Sequence, residues 1–210
     1  MKHPDRPFLV AITGGIASGK SITSKWFERQ KFSVFYADKI GHELLEDKYL
    51  NNIIEEIFGK EVITNGSVDR EKLGEIIFNS AEKRKQLNEL LHPEILKKMQ
   101  QIIDASSKEI LIFEIPLLFE NGLQKAFDLT INISTRNEVR IKRILERDRI
   151  TEKAAQKRIN TQMSELDKKK LANIDITNEK DIDELYLQLN KLLKYIKKLT
   201  KKDVIKITEL

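Results

Sequence analysis

At 210 residues, 40% hydrophobic and 34% charged, the chain can bury a sizeable core and has the profile of a globular protein with a heavily ionised surface. With no cysteine there is no disulfide or thiolate chemistry, and no apolar run approaches the ~20 residues that a membrane helix needs. A net charge of +5 suits nucleic acid, several substrate phosphates, or a lysine-rich surface without function.

The N-terminal stretch Met1–Pro7 is polar and lacks the apolar region of a signal peptide, so a cytoplasmic protein is expected. Phe8-Leu9-Val10-Ala11-Ile12-Thr13 reads as a short buried strand. After a glycine-rich turn, Ser21 to Gln30 reads as a helix with Trp26 and Phe27 among its apolar residues. Ser33-Val34-Phe35-Tyr36 is a second strand ending at Ala37-Asp38, and Lys39 to Leu45 turns helical. Helical periodicity then dominates from Asn51 to Ile103, interrupted by a turn at Asn65-Gly66. A helical stretch of that length between strands reads as an inserted substrate-binding unit more than as a crossover. Ile110-Leu111-Ile112-Phe113-Glu114-Ile115-Pro116 has the profile of a strand buried on both faces. Leu129 to Ile133 is another strand, and Ile174 to Thr177 a weaker last one, with an arginine-rich helical stretch from Asn137 to Lys170 between them. Strands alternating with helices argue for a parallel sheet covered on both faces. The C-terminal helix from Asp183 carries Leu185, Leu189, Leu192, Leu193 and Ile196 at helical spacing, and six lysines fall between Lys191 and Lys202. A helix packing one face and solvating the other accounts for that pattern, although a membrane-surface or nucleic-acid role is conceivable.

The turn after the first strand, Gly14-Gly15-Ile16-Ala17-Ser18-Gly19-Lys20-Ser21, fits G-x-x-x-x-G-K-[ST] in its strand-loop-helix context. Successive backbone N–H groups at a helix N-terminus line one concavity, where the helix dipole also favours negative charge. Gly14 and Gly19 permit backbone angles that a Cβ would obstruct. Lys20 supplies a point charge to the outer phosphates of a nucleoside triphosphate, and the Ser21 hydroxyl is placed to ligate Mg²⁺. A regulatory GTPase would need D-x-x-G after a strand and N-K-x-D near a late one. Neither is present, because Asn178-Glu179-Lys180-Asp181 has its lysine misplaced. A small-molecule kinase needs an acceptor pocket, an acid beside the acceptor hydroxyl and an arginine-bearing lid, since phosphoryl transfer is mainly positioning and charge neutralisation.

The landmarks from residue 8 to 178 closely resemble the dephospho-CoA kinase family. They comprise Thr13-Gly14-Gly15-Ile16 through Ser21, Ala37-Asp38, Asp69-Arg70 with Leu73 and Ile77-Phe78, and Leu91-His92-Pro93. They continue through Pro116-Leu117-Leu118-Phe119-Glu120, Arg143 with Arg147-Asp148, Arg158, Gln162 and Asn178. The resemblance implies that ATP phosphorylates the ribose 3′-hydroxyl of dephospho-CoA, giving CoA and ADP, with Mg²⁺ as the metal. It implies Asp38 beside that hydroxyl as orienter and proton acceptor, although an Asp at a strand's end could equally cap the following helix. Arg143 and Arg147, four apart on one helix face, would close over the ATP phosphates as part of the lid, or belong to a solvated face paired with Glu146 and Asp148. His92 could shape the acceptor pocket with Pro116 and Leu117, or cap a helix before Pro93. The loop from Gly14 through Ile22 would hold the nucleotide. Against the family pattern, Tyr36 replaces an acid, Ala17 a glycine, Ile22 a hydroxyl residue and Arg140 a glutamine, and Ala172-Asn173 replaces an Ala-Asp pair. Glu114 is placed like a Walker B acid, and whether it reaches magnesium-bound water or merely ends a strand stays open. His3 and His42 carry no assignment, and without cysteines or clustered histidines no zinc site is expected.

The expected architecture is an α/β three-layer P-loop kinase fold with a parallel sheet of about five strands, the loop-bearing strand central. Its core would comprise residues 1–37, 105–136 and 163–210, its helical insertion 38–104 and its lid 137–162. The partner expected is a small molecule, with neither nucleic acid nor membrane, and the oligomeric state is left open. Two rivals remain: another nucleoside or nucleotide kinase of this fold, and a non-enzymatic ATP-binding module whose basic C-terminus recruits RNA or membrane.

Overall fold

A computed structural model describes residues 6–210; the earlier part of the polar N-terminal stretch lies outside the described residues. In chain order the elements are β1 (Phe8–Gly14), α1 (Lys20–Arg29), β2 (Ser33–Tyr36), α2 (Ala37–Leu44), α3 (Lys48–Phe58), β3 (Ile63–Thr64), β4 (Ser67–Val68), α4 (Arg70–Asn79) and α5 (Ala81–Asp104). There follow β5 (Ile110–Glu114), β6 (Leu129–Ser134), α6 (Asn137–Asp148), α7 (Glu152–Asn160), α8 (Glu165–Leu171), β7 (Ile174–Thr177) and α9 (Ile182–Ile196). The chain divides into two compact units, one of residues up to Tyr36 with Ala105–Leu210, the other Ala37–Asp104.

In the first unit five parallel strands run in the order β2-β5-β1-β6-β7, so the strand that feeds the glycine loop is central. Every residue of β1 is buried, as a strand covered on both faces requires. On one face Val10, Ile12, Ile112, Ile131 and Ile133 pack with Trp26 and Phe27 of α1 and with Leu185, Leu189, Leu192 and Ile196 of α9. The spacing of those α9 residues is the helical stripe read from the sequence. Its start is fixed by Asp181, whose carboxylate accepts from the Glu184 amide at 2.9 Å. The arginine-rich stretch is three helices, α6 to α8, not one. Arg149 at φ 53 closes α6, and Thr151 and Ser164 cap the two helices that follow.

The second unit surrounds a cluster formed by Leu45, Leu50, Ile54, Phe58, Val62, Leu73, Leu87 and Leu91. Between α3 and α4 the Asn65-Gly66 turn closes a hairpin of β3 on β4, with Asn65 at φ 53 and Gly66 at φ 78. Two left-handed residues in a row match the twist of a tight hairpin. The sequence indicated the turn alone, because two-residue strands are too short to show alternation. Helix α5 runs through Pro93, whose missing N–H removes one hydrogen bond from the ladder. Among the described residues no helix is long and apolar enough to cross a membrane.

Candidate active site

The loop between β1 and α1 owes its shape to what grips its carbonyls. Lys20 Nζ donates to the carbonyls of Gly14 and Gly15 at 2.9 and 3.0 Å, and Arg140 Nε donates to that of Ile16 at 3.0 Å. Arg143 Nη1 reaches the Ala17 carbonyl at 3.2 Å, and Asn178 Nδ2 reaches that of Ser18 at 2.7 Å, joined there by Thr135 Oγ1 at 3.1 Å. Five consecutive carbonyls are thereby turned toward protein donors. Amides of the same loop, those of Gly15 and Ile16, meet acceptor oxygens, as the N–H groups of an anion-binding loop can. Gly14 lies at φ 149 and Gly19 at φ 105. A Cβ on Gly14 would stand 2.6 Å from Ser18 Oγ, and one on Gly19 would collide with the Asn178 side chain. Both glycines are therefore demanded by conformation and by space together.

Below the loop, Ser21 Oγ donates to Glu114 Oε1 at 3.1 Å. Glu114 ends β5, is 7% exposed, and its Oε2 is buried with no partner among the described residues. Ser18 Oγ is likewise buried and unpartnered among them. Two converging protein oxygens with one carboxylate lone-pair site to spare suit Mg²⁺, which keeps several waters and takes substrate phosphates as its other ligands. The described residues contain no cluster of three or more acids, histidines or cysteines that would form an all-protein metal cage. Tyr36, at the end of β2, pairs in register with Glu114. Its phenol donates to Glu28 Oε1 at 2.9 Å. Burial first, then the Glu28 hydrogen bond and the negative charges of Glu28 and Glu114, push the phenol well above its ordinary range. Tyr36 is thus a neutral donor where the family carries an acid.

Helix α6 points its arginines to different ends. Arg140 is buried, Arg143 spans the Ala17 and Asn178 carbonyls, and Arg147 is 58% exposed and bonded to Asp148 at 2.6 and 3.0 Å. Arg158 of α7 bonds the same Asp148 carboxylate at 2.6 Å. The structure therefore brings Arg143 to the loop, on its carbonyl side, and leaves Arg147 in the α6–α7 pairing. After α7, Gln162 Oε1 accepts from the Ile16 amide at 2.8 Å and Glu165 Oε1 from the Gly15 amide at 3.1 Å. Pro116 accepts through its carbonyl from Thr13 Oγ1 at 3.2 Å, which ties the turn after β5 to the loop strand. Leu117 beside it is 38% exposed, whereas Leu118 is buried. Glu120 of the same turn pairs at 2.7 Å with Lys168, whose side chain is fully buried. Ile22 lies in the first turn of α1, its amide bonded to the Gly19 carbonyl at 3.1 Å.

Asp38 and His92 belong to the second unit. Asp38 is exposed in the first turn of α2. His92 lies in α5 with its Nε2 buried and unpartnered among the described residues. Sequence reasoning missed Thr135 and Glu165 and treated Arg140 as a departure. Only Arg140 carried a signal, as an arginine three residues before Arg143 on one helix face.

A parallel sheet with the glycine loop on its central strand, a Ser–acid pair beneath and arginines around it define a P-loop kinase. The family model described as dephospho-CoA kinase matches residues 8–184. Relatives named dephospho-CoA kinase are 35% identical in Fusobacterium nucleatum, over 90% of this chain and 98% of the relative, and 39% identical in Oceanobacillus iheyensis, over 88% and 96%. A solved dephospho-CoA kinase from Campylobacter jejuni aligns with a TM-score of 0.68 at 32% identity, over 90% of this chain and 96% of that one. The chain belongs to the dephospho-CoA kinase family.

Proposed function

We propose that the protein transfers the terminal phosphoryl group of ATP to the ribose 3′-hydroxyl of dephospho-CoA, giving CoA and ADP. The observation that supports this reading is the loop with five consecutive carbonyls held by protein donors, whose Gly15 and Ile16 amides already bind side-chain acceptor oxygens. The amides from Gly14 to Ser21 hold the phosphates, and Lys20 exchanges its loop carbonyls for phosphate oxygens as charge builds on the departing ADP. Arg143 acts by fixing the loop from its carbonyl side. Arg147 would have to give up Asp148 to serve as a lid contact. Mg²⁺, when bound, neutralises phosphate charge, and Ser21 with Glu114 would hold it there. Asp38 orients the acceptor hydroxyl and takes its proton as the new P–O bond forms and the bond to the ADP oxygen breaks. His92, Pro116 and Leu117 shape the acceptor site. The helical segment 38–104 carries the acceptor and 137–162 acts as lid. A cytoplasmic setting fits an ATP-dependent enzyme of this kind.

The test is a kinase assay offering dephospho-CoA beside common nucleosides, with the product identified by mass. A gain of one phosphate on dephospho-CoA is expected. Turnover of nucleosides with dephospho-CoA ignored would replace the acceptor assignment with that of a nucleoside kinase. Nucleotide binding without any phosphoryl transfer would replace it with a binding module.

A further inference from the structure

The Gly15 and Ile16 amides at the start of the phosphate loop are taken by side chains from the segment after α7. Glu165 Oε1 sits 3.1 Å from the Gly15 amide and 3.3 Å from Arg140 Nη1, and its Oε2 is buried with no partner among the described residues. Gln162 Oε1 covers the neighbouring Ile16 amide at 2.8 Å. The Arg140 side chain is 4% exposed and is anchored through Nε to the Ile16 carbonyl, leaving its outer nitrogens toward Glu165. A carboxylate held by the Gly15 amide and a buried guanidinium is an anion in an anion site. Burial pushes the Glu165 carboxyl up from its ordinary range, with the attraction of Arg140 and Lys168 opposing it, and burial lowers the Arg140 guanidinium as well. The pair is thus short of water, and a phosphate offers Arg140 and the Gly15 amide more acceptor oxygens and more charge than the carboxylate does.

We infer that Glu165 is a resident competitor for a phosphate group of ATP, and that Arg140 is the guanidinium which carboxylate and phosphate share. When ATP enters, Arg140 and the Gly15 amide pass from Glu165 to phosphate oxygen. Arg140 then binds substrate, and Glu165 is a positioning residue that sets ATP affinity through it. Helix α6 so contributes a phosphate ligand from its buried position, 140, while its exposed Arg147 stays with Asp148. The inference rests on the nucleotide-binding reading of the loop but not on the identity of the acceptor.

Calorimetric titration of MgATP and of magnesium tripolyphosphate into the full chain and into Glu165→Gln tests it. Removing the competing charge is expected to tighten both ligands about five-fold or more, with KM for ATP falling in step and kcat changing less. In an Arg140→Gln background, where both ligands bind more weakly, Glu165→Gln is expected to shift affinity by less than about two-fold, because the shared partner is gone. Equal or weaker binding by Glu165→Gln overturns the inference. Should that variant melt early without ligand, Glu165→Asp carries the test, since its shorter reach loosens the carboxylate from the loop while keeping the charge. Tighter binding then supports the competitor role and equal or weaker binding overturns it. A wild-type chain that binds neither ligand sinks the loop reading along with the inference, whereas wild-type binding without a gain in the variants sinks the inference alone.

Discussion

Ala17 occupies the left-handed region at φ 61 in the middle of the phosphate loop, at a position where the family usually carries glycine. An L side chain there costs about 1 kcal/mol, which Gly would not incur, while Gly gives up roughly 0.4–1 kcal/mol through the freer unfolded chain. Relief of strain exceeds that loss at a positive φ. Ala17→Gly is therefore expected to raise stability by about 0.5 kcal/mol in urea unfolding, and a variant less stable than wild type would contradict the strain. Asp38 makes a different kind of claim. It is exposed in the first turn of α2, where a carboxylate is open to an acceptor hydroxyl. Asp38→Asn should lower kcat by about 10²–10⁴-fold while ATP affinity stays within a few-fold, the mark of a base or orienter at the acceptor. An unchanged rate would dismiss the role. Legibility at this scale was uneven. Lys20, Ser21, Gly14 and Gly19 were readable because the loop constrains residue type at fixed spacing. Asp69, one landmark of the family resemblance, caps α4 through the Glu71 and Lys72 amides. Glu165 could not be read at all, since an acid that opens a short helix looks like a surface charge until the fold carries it to the Gly15 amide.

The α6–α7 pair is held at its turn by Asp148 between Arg147 and Arg158. The hydrogen bond from Arg147, followed by the charges of Arg147 and Arg158, holds the Asp148 carboxyl below its ordinary range. A carboxyl with a depressed folded value contributes stability that is present above its unfolded range and lost as pH falls through the folded value. Hydrogen-exchange protection at the α6–α7 turn should therefore persist at neutral pH and fade in acid, once the pH falls below the ordinary carboxylate range. Arg147→Ala should move the Asp148 midpoint, followed by carboxyl NMR, up toward the ordinary carboxylate range, and Arg158→Ala should move it less. A midpoint unmoved by Arg147→Ala would free Arg147 from this structural duty and return it to the lid. At the level of elements the sequence was most legible where burial is two-sided: β1 and β5 read as continuous apolar runs because helices or loops cover both faces. It was least legible in the three helices from 137 to 171. Their breaks depend on one left-handed residue, Arg149, and two hydroxyl caps, none of which interrupts a charged helical pattern.

The lysine-rich C-terminus reads in sequence as a helix that packs one face and solvates the other, and the whole molecule gives the segment beyond that helix a structural part. Asp128, 1% exposed at the entry to β6, gathers both ends of the chain. Its carboxylate accepts from Arg6 at 2.6 and 2.7 Å, from the Leu9 amide at 2.8 Å and from the Lys202 amide at 2.6 Å. Arg6 also donates to the Lys202 carbonyl at 2.7 Å, and Ile207 is 1% exposed. The lysine side chains that gave the segment its polar appearance extend outward, while its backbone and one isoleucine do the anchoring; hydropathy registers the former and is blind to the latter. Ending the chain at Thr200 removes one fully buried aliphatic side chain, about 1.5–3 kcal/mol. It also removes a hydrogen bond to a buried carboxylate, about 1.5–3 kcal/mol. Because part of the freed surface relaxes, a net loss of roughly 3 kcal/mol is expected. That corresponds to a fall in melting temperature of roughly 6–12 °C for a chain of this size. The phosphate loop draws none of its grips from the tail, so kcat measured well below the transition should remain within two-fold of wild type. Ile207→Ala in the full-length chain should reproduce about half of the thermal loss while keeping the Lys202 bond. A truncated chain that melts with the wild type would show that Asp128 is satisfied without the tail, and one that folds normally but loses turnover would move the segment from the scaffold into the catalytic machinery.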